Sequence, residues 1–198
     1  GPRVGTDLIP DHVRKTPAEV SAGHAAAQMI KDGETIMLDS GTTTAEVARQ
    51  IRFLKLRSLN VITNALNIAM ELANLPHVRL IMIGGVLRQM SYSLAGPPAE
   101  QTLRGLHADR LFLGVDGLDP EIGLMTPDVL EAQLNAVMIQ VSREVVVVAD
   151  STGAESVALG ALLGASPDPF CAMESCWLQH LESAHRDDAT PLHLRDAG

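Results

Sequence analysis

The sequence predicts an α/β fold, a mainly parallel sheet flanked by helices. Three observations lead there. Apolar strand-like runs alternate with helix-like segments over short connections. The apolar fraction is 46% while aromatics make up only 3%, an aliphatic mixture that suits a sheet buried on both faces. Several strand-like runs close in small or polar residues: Asp39-Ser40, Thr63-Asn64, Gly84-Gly85, Asp116-Gly117 and Asp150-Ser151. In parallel sheets the carboxyl ends of the strands are where ligands sit. Turns favour the same residue types, so a row of such ends reads either as a polar rim around a pocket or as ordinary connections.

The elements follow in order. Thr16-Pro17-Ala18-Glu19 has the form of a helix start, with a capping threonine, proline in the first turn and glutamate three residues after the cap. That helix is expected to reach Lys31 and stop at Asp32-Gly33. Thr35 to Leu38 reads as a strand, followed by a helix over 44–52. Asn60 to Thr63 is a short strand, and Asn64 opens a helix running to Ala73. Val78 to Ile83 is a strand, and Gly96-Pro97 precedes a helix to about Leu106. A strand over 109–115, a helix over 127–142 and a strand over 144–149 complete the readable part. Residues 153–163 are small and apolar and are expected to be helical, with no further strand recognisable after Gly153. Trp177 and Leu178 could pack as a short helix, and from Ser183 the polar composition predicts a frayed end.

Composition narrows the function. A formal net charge of −9 with no basic cluster makes this segment a poor nucleic-acid grip. Two cysteines form no disulfide framework, so a reducing cytoplasm is the default. No apolar run reaches transmembrane length, so no membrane partner is expected. Cys171, Cys176, His180 and His185 match no zinc finger or ribbon spacing, and no metal or cofactor is expected. Met70, Met82, Met90, Met125 and Met138 read as aliphatic core or pocket wall.

The run Asp39-Ser40-Gly41-Thr42-Thr43-Thr44 carries most of the chemistry. Small hydroxyl residues around a glycine at a strand-to-helix turn can cradle an anion, because the first N–H groups of the helix point at it. The same residues are also good helix caps. Ser40, Gly41, Thr42 and Thr43 are candidate phosphate contacts, and Asp39 suits sugar hydroxyls or loop orientation. Asn64 fits either a sugar hydroxyl or a helix cap. Gly84 and Gly85 allow close approach of a ligand or a tight turn, and Arg88 could fork onto phosphate or simply be solvated. Asp116, Gly117 and Asp150 stand at strand ends. Asp128 and Glu131 share a helix face near its start, where they either cap it or reach a ligand.

Taken together and in order, these pieces resemble the C-terminal effector-sensing domain of the DeoR family of bacterial transcription repressors. The matching residues are Asp32-Gly33, Asp39 to Thr44, Ile62-Thr63-Asn64, Gly84-Gly85 with Leu87-Arg88, and Leu94-Ala95-Gly96-Pro97. Ala108 to Gly117, Gly123 to Asp128, Glu131-Ala132 and Val147 to Ser151 continue the series. The resemblance implies a fold like ribose 5-phosphate isomerase and the CoA-transferase-like proteins. It also implies a sugar phosphate effector, assembly as a dimer or tetramer, and operator DNA bound only through a winged helix-turn-helix upstream.

On this reading residues 1–11 are an expression remnant or a linker from that absent DNA-binding domain. Residues 12–165 are the effector-binding sensor domain and 166–198 a divergent tail. The family usually carries a lysine shortly after the Asp-Ser pair, whereas this chain has none beyond Lys55. An isomerase on the same fold is the rival, with Asp116, Glu131 or Asp150 as base, but its expected lysine electrophile is missing. An assembly module with a decayed pocket is a third reading.

Overall fold

The computed structural model describes residues 16–115, 117–119, 123–126, 128–149, 161–163 and 170–173. Its centre is a parallel sheet of six strands. They are β1 (Thr35–Leu38), β2 (Leu59–Thr63), β3 (Val78–Met82), β6 (Ala108–Gly114), β9 (Ser142–Ala149) and β11 (Phe170–Met173). The spatial order is β11-β9-β6-β1-β2-β3, and every neighbouring pair runs parallel. Two small antiparallel units stand apart from it. One is the hairpin β4 (Val86–Arg88) with β5 (Ser93–Ala95). The other joins β7 (Gly117–Asp119), β8 (Gly123–Thr126) and β10 (Ala161–Leu163).

Strand alternation divides the core in two. Ile36, Leu38, Val61, Phe112, Val146 and Val148 pack beneath α1 (Pro17–Ala27), α2 (Thr42–Ile51) and α3 (Leu66–Leu72). Met37, Ile62, Leu111, Leu113, Val145 and Val147 face α4 (Pro97–Leu103) and α5 (Val129–Gln140) on the other side. Burying each such aliphatic side chain contributes about 1.5–3 kcal/mol, which is why the strands read as continuous apolar runs.

Local chemistry explains the boundaries. Thr16 and Glu19 form the capping box that opens α1. That helix ends at Ala27, short of the expected Lys31, because Met29 and Ile30 donate to carbonyls three residues back in tighter turns. The Asp32 carboxylate accepts from the amides of Arg57 and Ser58, and Gly33 takes φ +81°. Those amides and the Arg57 side chain hold the Asp32 carboxyl below its ordinary value. Arg110, buried at the start of β6, donates to Met29 O and pairs with Glu34 at 3.3 Å and Glu144 at 2.8 Å, a structural anchor at the amino edge of the sheet.

Several expectations change. The 44–52 helix begins two residues earlier, so all three threonines of the cradle lie in its first turn. Residues 161–163 are strand, and β11 adds a strand after Gly153 where none is recognisable in sequence. Strands of three or four residues are too short to show a period in sequence. Met138 is core as expected, but Met70 and Met90 are 77% and 79% exposed. Expectations for residues after 173 fall outside the described residues.

Gly84 and Gly85 separate clearly. A Cβ on Gly84 would meet nothing within 4 Å. On Gly85, at φ +141°, it would lie 2.7 Å from Ala95 O and 3.2 Å from Ala99 Cβ. Gly85 therefore lets β4 lie against β5 and α4. Urea unfolding is expected to show a loss of about 1–3 kcal/mol for Gly85→Ala. Gly84→Ala should stay within about 0.5 kcal/mol of wild type.

Candidate functional site

Because β1 lies between β2 and β6 in a parallel sheet, the ends of these strands meet at one edge. Leu38 pairs with Thr63 on one side and Phe112 on the other. The next amide, Asp39 N–H, donates to Phe112 O at 3.1 Å. This fixes Asp39 and Ser40 where the chain turns into α2, and both are buried. Gly41 is the N-cap and contributes no side-chain bond. The first helical bond runs from Ala45 N–H to Gly41 O at 3.0 Å, so the N–H groups of Thr42, Thr43 and Thr44 precede the helical ladder. That is the geometry of an anion seat.

The hydroxyls are partly engaged already. Thr44 donates to Gly41 O at 3.1 Å, and Ser40 lies 3.5 Å from an Asp39 carboxylate oxygen, a weak contact. Thr42 donates to the Glu19 carboxylate from α1. Thr43 is buried in the same turn. Gly114, at the end of β6, faces the cradle: a Cβ there would lie 3.5 Å from Ser40 O and 3.8 Å from the Thr44 methyl. The sequence reading placed Gly114 in a matching motif without giving it a role.

Asn64 is neither a cap nor free. The N-cap of α3 is Ala65. Leu94 N–H donates to Asn64 O at 2.8 Å and the Asn64 amide donates to Leu94 O at 3.3 Å, which ties the β4–β5 hairpin to the end of β2. Its Oδ1 is buried without a hydrogen-bond partner, an acceptor at the rim of the sheet. Arg88 is not the available cation the sequence suggested. It binds Asp128 at 2.9 Å and Glu131 at 2.5 Å, and only 22% of its side chain is exposed. Asp128 is also the N-cap of α5, accepting from Glu131 N–H. The Arg88 fork thus clamps the hairpin to α5. Gly117 opens β7 opposite Met125. Asp116 and Asp150 lie outside the described residues.

The structure therefore brings Asp39, Ser40, Gly41, Thr42 and Thr43 together at the end of β1 and start of α2. Asn64, Gly84 and Gly85 stand at the ends of β2 and β3, while Arg88 and Glu131 form a separate clamp. Sequence reasoning missed the Glu19 contact, because Glu19 and Thr42 are 23 residues apart and their pairing is tertiary. It also missed Asn135 on α5, whose amide is buried with neither atom partnered. Among the described residues no cluster of His, Cys, Asp and Glu could hold a metal ion, and no helix is long and apolar enough to cross a membrane.

Comparison with known proteins names the family. The family model for the DeoR C terminal sensor domain matches residues 18–165. A putative aga operon transcriptional repressor of Escherichia coli O157:H7 is 43% identical over 137 residues, covering 69% of this chain and 50% of the relative. The transcriptional repressor AccR of Agrobacterium fabrum is 38% identical over 63% of this chain and 48% of its own length. The repressor CsqR of Escherichia coli K12 is 33% identical over 75% of this chain and 56% of its own. The chain belongs to the DeoR family of transcriptional regulators and is a sensor domain of that type. It spans about half the length of the curated relatives it matches.

Solved structures agree on the fold. Ribose 5-phosphate isomerase A from Neisseria gonorrhoeae superposes with a TM-score of 0.51 at 11% identity, covering 73% of this chain and 56% of that one. Chaetomium thermophilum eIF2B delta gives 0.50 at 20% identity, covering 70% and 48%. These show the α/β fold alone.

The clamp is directly testable. Arg88→Ala should raise amide hydrogen exchange across residues 86–95 while β1, β2 and β6 stay protected, since a short bridge at Ala65–Ser93 rather than an extended ladder ties the hairpin to the end of β2. Unchanged exchange in the hairpin would mean that its bonds to Asn64 and Leu66 hold it without the Arg88 fork.

Proposed function

We propose that the chain is the effector-sensing and oligomerisation domain of a DeoR-type repressor, seating the phosphate of a phosphorylated sugar on the first turn of α2. Binding would control operator DNA through a winged helix-turn-helix in the half of the relatives' length this chain does not span, in the cytoplasm. The observation that carries this reading is the N-terminal turn Gly41–Thr44 at the carboxyl edge of a parallel sheet, with Gly114 clearing space beside it. Ser40 and Thr43 add hydroxyls, and Asp39 and the Asn64 carbonyl supply acceptors suited to sugar hydroxyls. Asp116, Gly117 and Asp150 are retained as contacts of the same rim. Control of DNA binding requires that the effector bind the two states of the regulator with different affinity.

A role as an enzyme is disfavoured by the pairing of Glu131, one of the conceivable bases, with Arg88, and by the lack of any lysine beyond Lys55. The relatives' names as regulators point the same way.

A thermal-shift series with ribose 5-phosphate, fructose 6-phosphate and glucosamine 6-phosphate tests the seat. At least one should stabilise the wild type. Thr43→Val, which removes a hydroxyl and keeps the shape, should weaken that ligand about tenfold. Gly114→Leu should abolish the shift by filling the space beside Ser40. Retention of the full shift in both variants would refute the site, and turnover of ribose 5-phosphate would restore the isomerase reading.

Self-association is proposed through the β4–β5 arm and the start of α5. Val86 is 68% exposed, Met90 79% and Val129 61%, with Leu87, Tyr92 and Leu130 also open. Such apolar surface is uncommon on a monomer. Its charged residues are already paired as Arg88 with Asp128 and Glu131, which spares two acidic copies a repulsive contact. Met90→Glu is expected to shift the chain to monomer in light scattering, whereas Phe53→Glu, elsewhere on an exposed turn, should not.

A further inference from the structure

We infer that Glu19 is a built-in occupant of the anion seat, a carboxylate that an incoming phosphate must displace and that thereby sets which anions the domain answers to. This rests on the assignment of the seat to the first turn of α2.

The geometry begins with the capping box of α1. Glu19 N–H donates to Thr16 Oγ1 at 3.1 Å, and Glu19 Oε2 accepts from Thr16 N–H at 2.6 Å. A box of this kind needs one carboxylate oxygen. The other, Oε1, accepts the hydroxyl of Thr42, the first residue of α2. One carboxylate therefore joins the starts of two helices. α2 has no acidic residue in its own first turn, and the carboxylates beside its start come from outside it, Asp39 at the end of β1 and Glu19 on α1.

The two helices are held close enough to keep it there. A Cβ on Gly23 would fall 2.6 Å from Glu46 Cβ and 3.2 Å from Thr43 O, so α1 rests directly on the second residue of α2.

Glu19 carries one negative charge at the seat, whereas a phosphate monoester near neutral pH carries nearly two and offers three strong acceptor oxygens. A phosphate monoester can outbid Glu19 for the helix N-terminus, whereas a neutral sugar has no charge to do so and a simple carboxylate merely matches it. Driving the Glu19 carboxylate out of the seat also pulls its other oxygen from Thr16 N–H, at the cap of α1. Ligand capture at α2 is thereby read out at the start of α1.

Glu19→Gln isolates the effect. Glutamine serves equally at the third position of a capping box, so the fold is kept and only the charge is removed. Calorimetry with inorganic phosphate and with ribose 5-phosphate is expected to show Glu19→Gln binding about tenfold tighter than wild type. Acetate, a single carboxylate, should bind the wild type far more weakly than phosphate. In hydrogen exchange, phosphate should deprotect the amide of Thr16, which donates to the Glu19 carboxylate, in the wild type. If both phosphates bind the wild type but bind Glu19→Gln equally or more weakly, the seat stands and the role of Glu19 is refuted. Phosphate binding with no change at the Thr16 amide refutes it too. If neither protein binds either phosphate, the seat itself is wrong and the inference falls with it.

Discussion

Everything at the carboxyl edge depends on β1 being held between two parallel neighbours. Its register with β2 and β6 brings Asp39 level with Asn64 on one side, and the Asp39 amide bonds to Phe112 on the other. With both flanks hydrogen-bonded, the end of β1 has little freedom, and α2 must begin where the strand stops. The first turn of α2 is thus positioned by backbone bonds rather than by side chains. A helix start built this way is pre-organised, since the backbone alone aims its N–H groups.

Several charged groups near that edge are already engaged within the domain. Glu19 sits on Thr42, and Arg88 is shared between two carboxylates of α5. A sensor need not bind its effector with the greatest possible affinity. It needs its ligand-free state to be defined by contacts that the ligand changes. On the proposed reading, the contact between Thr42 and Glu19 is one of these. The β4–β5 hairpin is joined to the body by the Asn64–Leu94 and Leu66–Tyr92 bonds, the Arg88 fork and the close packing of Gly85 rather than by a continuous ladder.

Some features were open to reading from the residues alone because their causes are local. Thr16, Pro17 and Glu19 announce a helix start through contacts three residues apart. The valine run of β9 and the apolar run of β1 announce buried strands. The hydroxyl and glycine turn after Leu38 announces a helix N-terminus. The hairpin was not legible: its strands are three residues each, too short for a period, and Tyr92 in its turn takes φ +52°, a conformation its identity does not advertise. Nor was the fate of Arg88, since whether an arginine is solvated or clamped depends on what α5 brings to it.

The sequence by itself determined the α/β class, the capping of α1, the position of the turn between β1 and α2 and the family resemblance, because each is written in neighbouring residues or in their order along the chain. Tertiary structure decided that Glu19 reaches Thr42, that Gly23 lets α1 lie on α2, that Gly85 is a packing glycine while Gly84 is open, and that Asn64 anchors the hairpin instead of capping a helix. Those outcomes depend on distances between residues far apart in the chain. Such distances exist only once the sheet has fixed how its helices and hairpin approach one another.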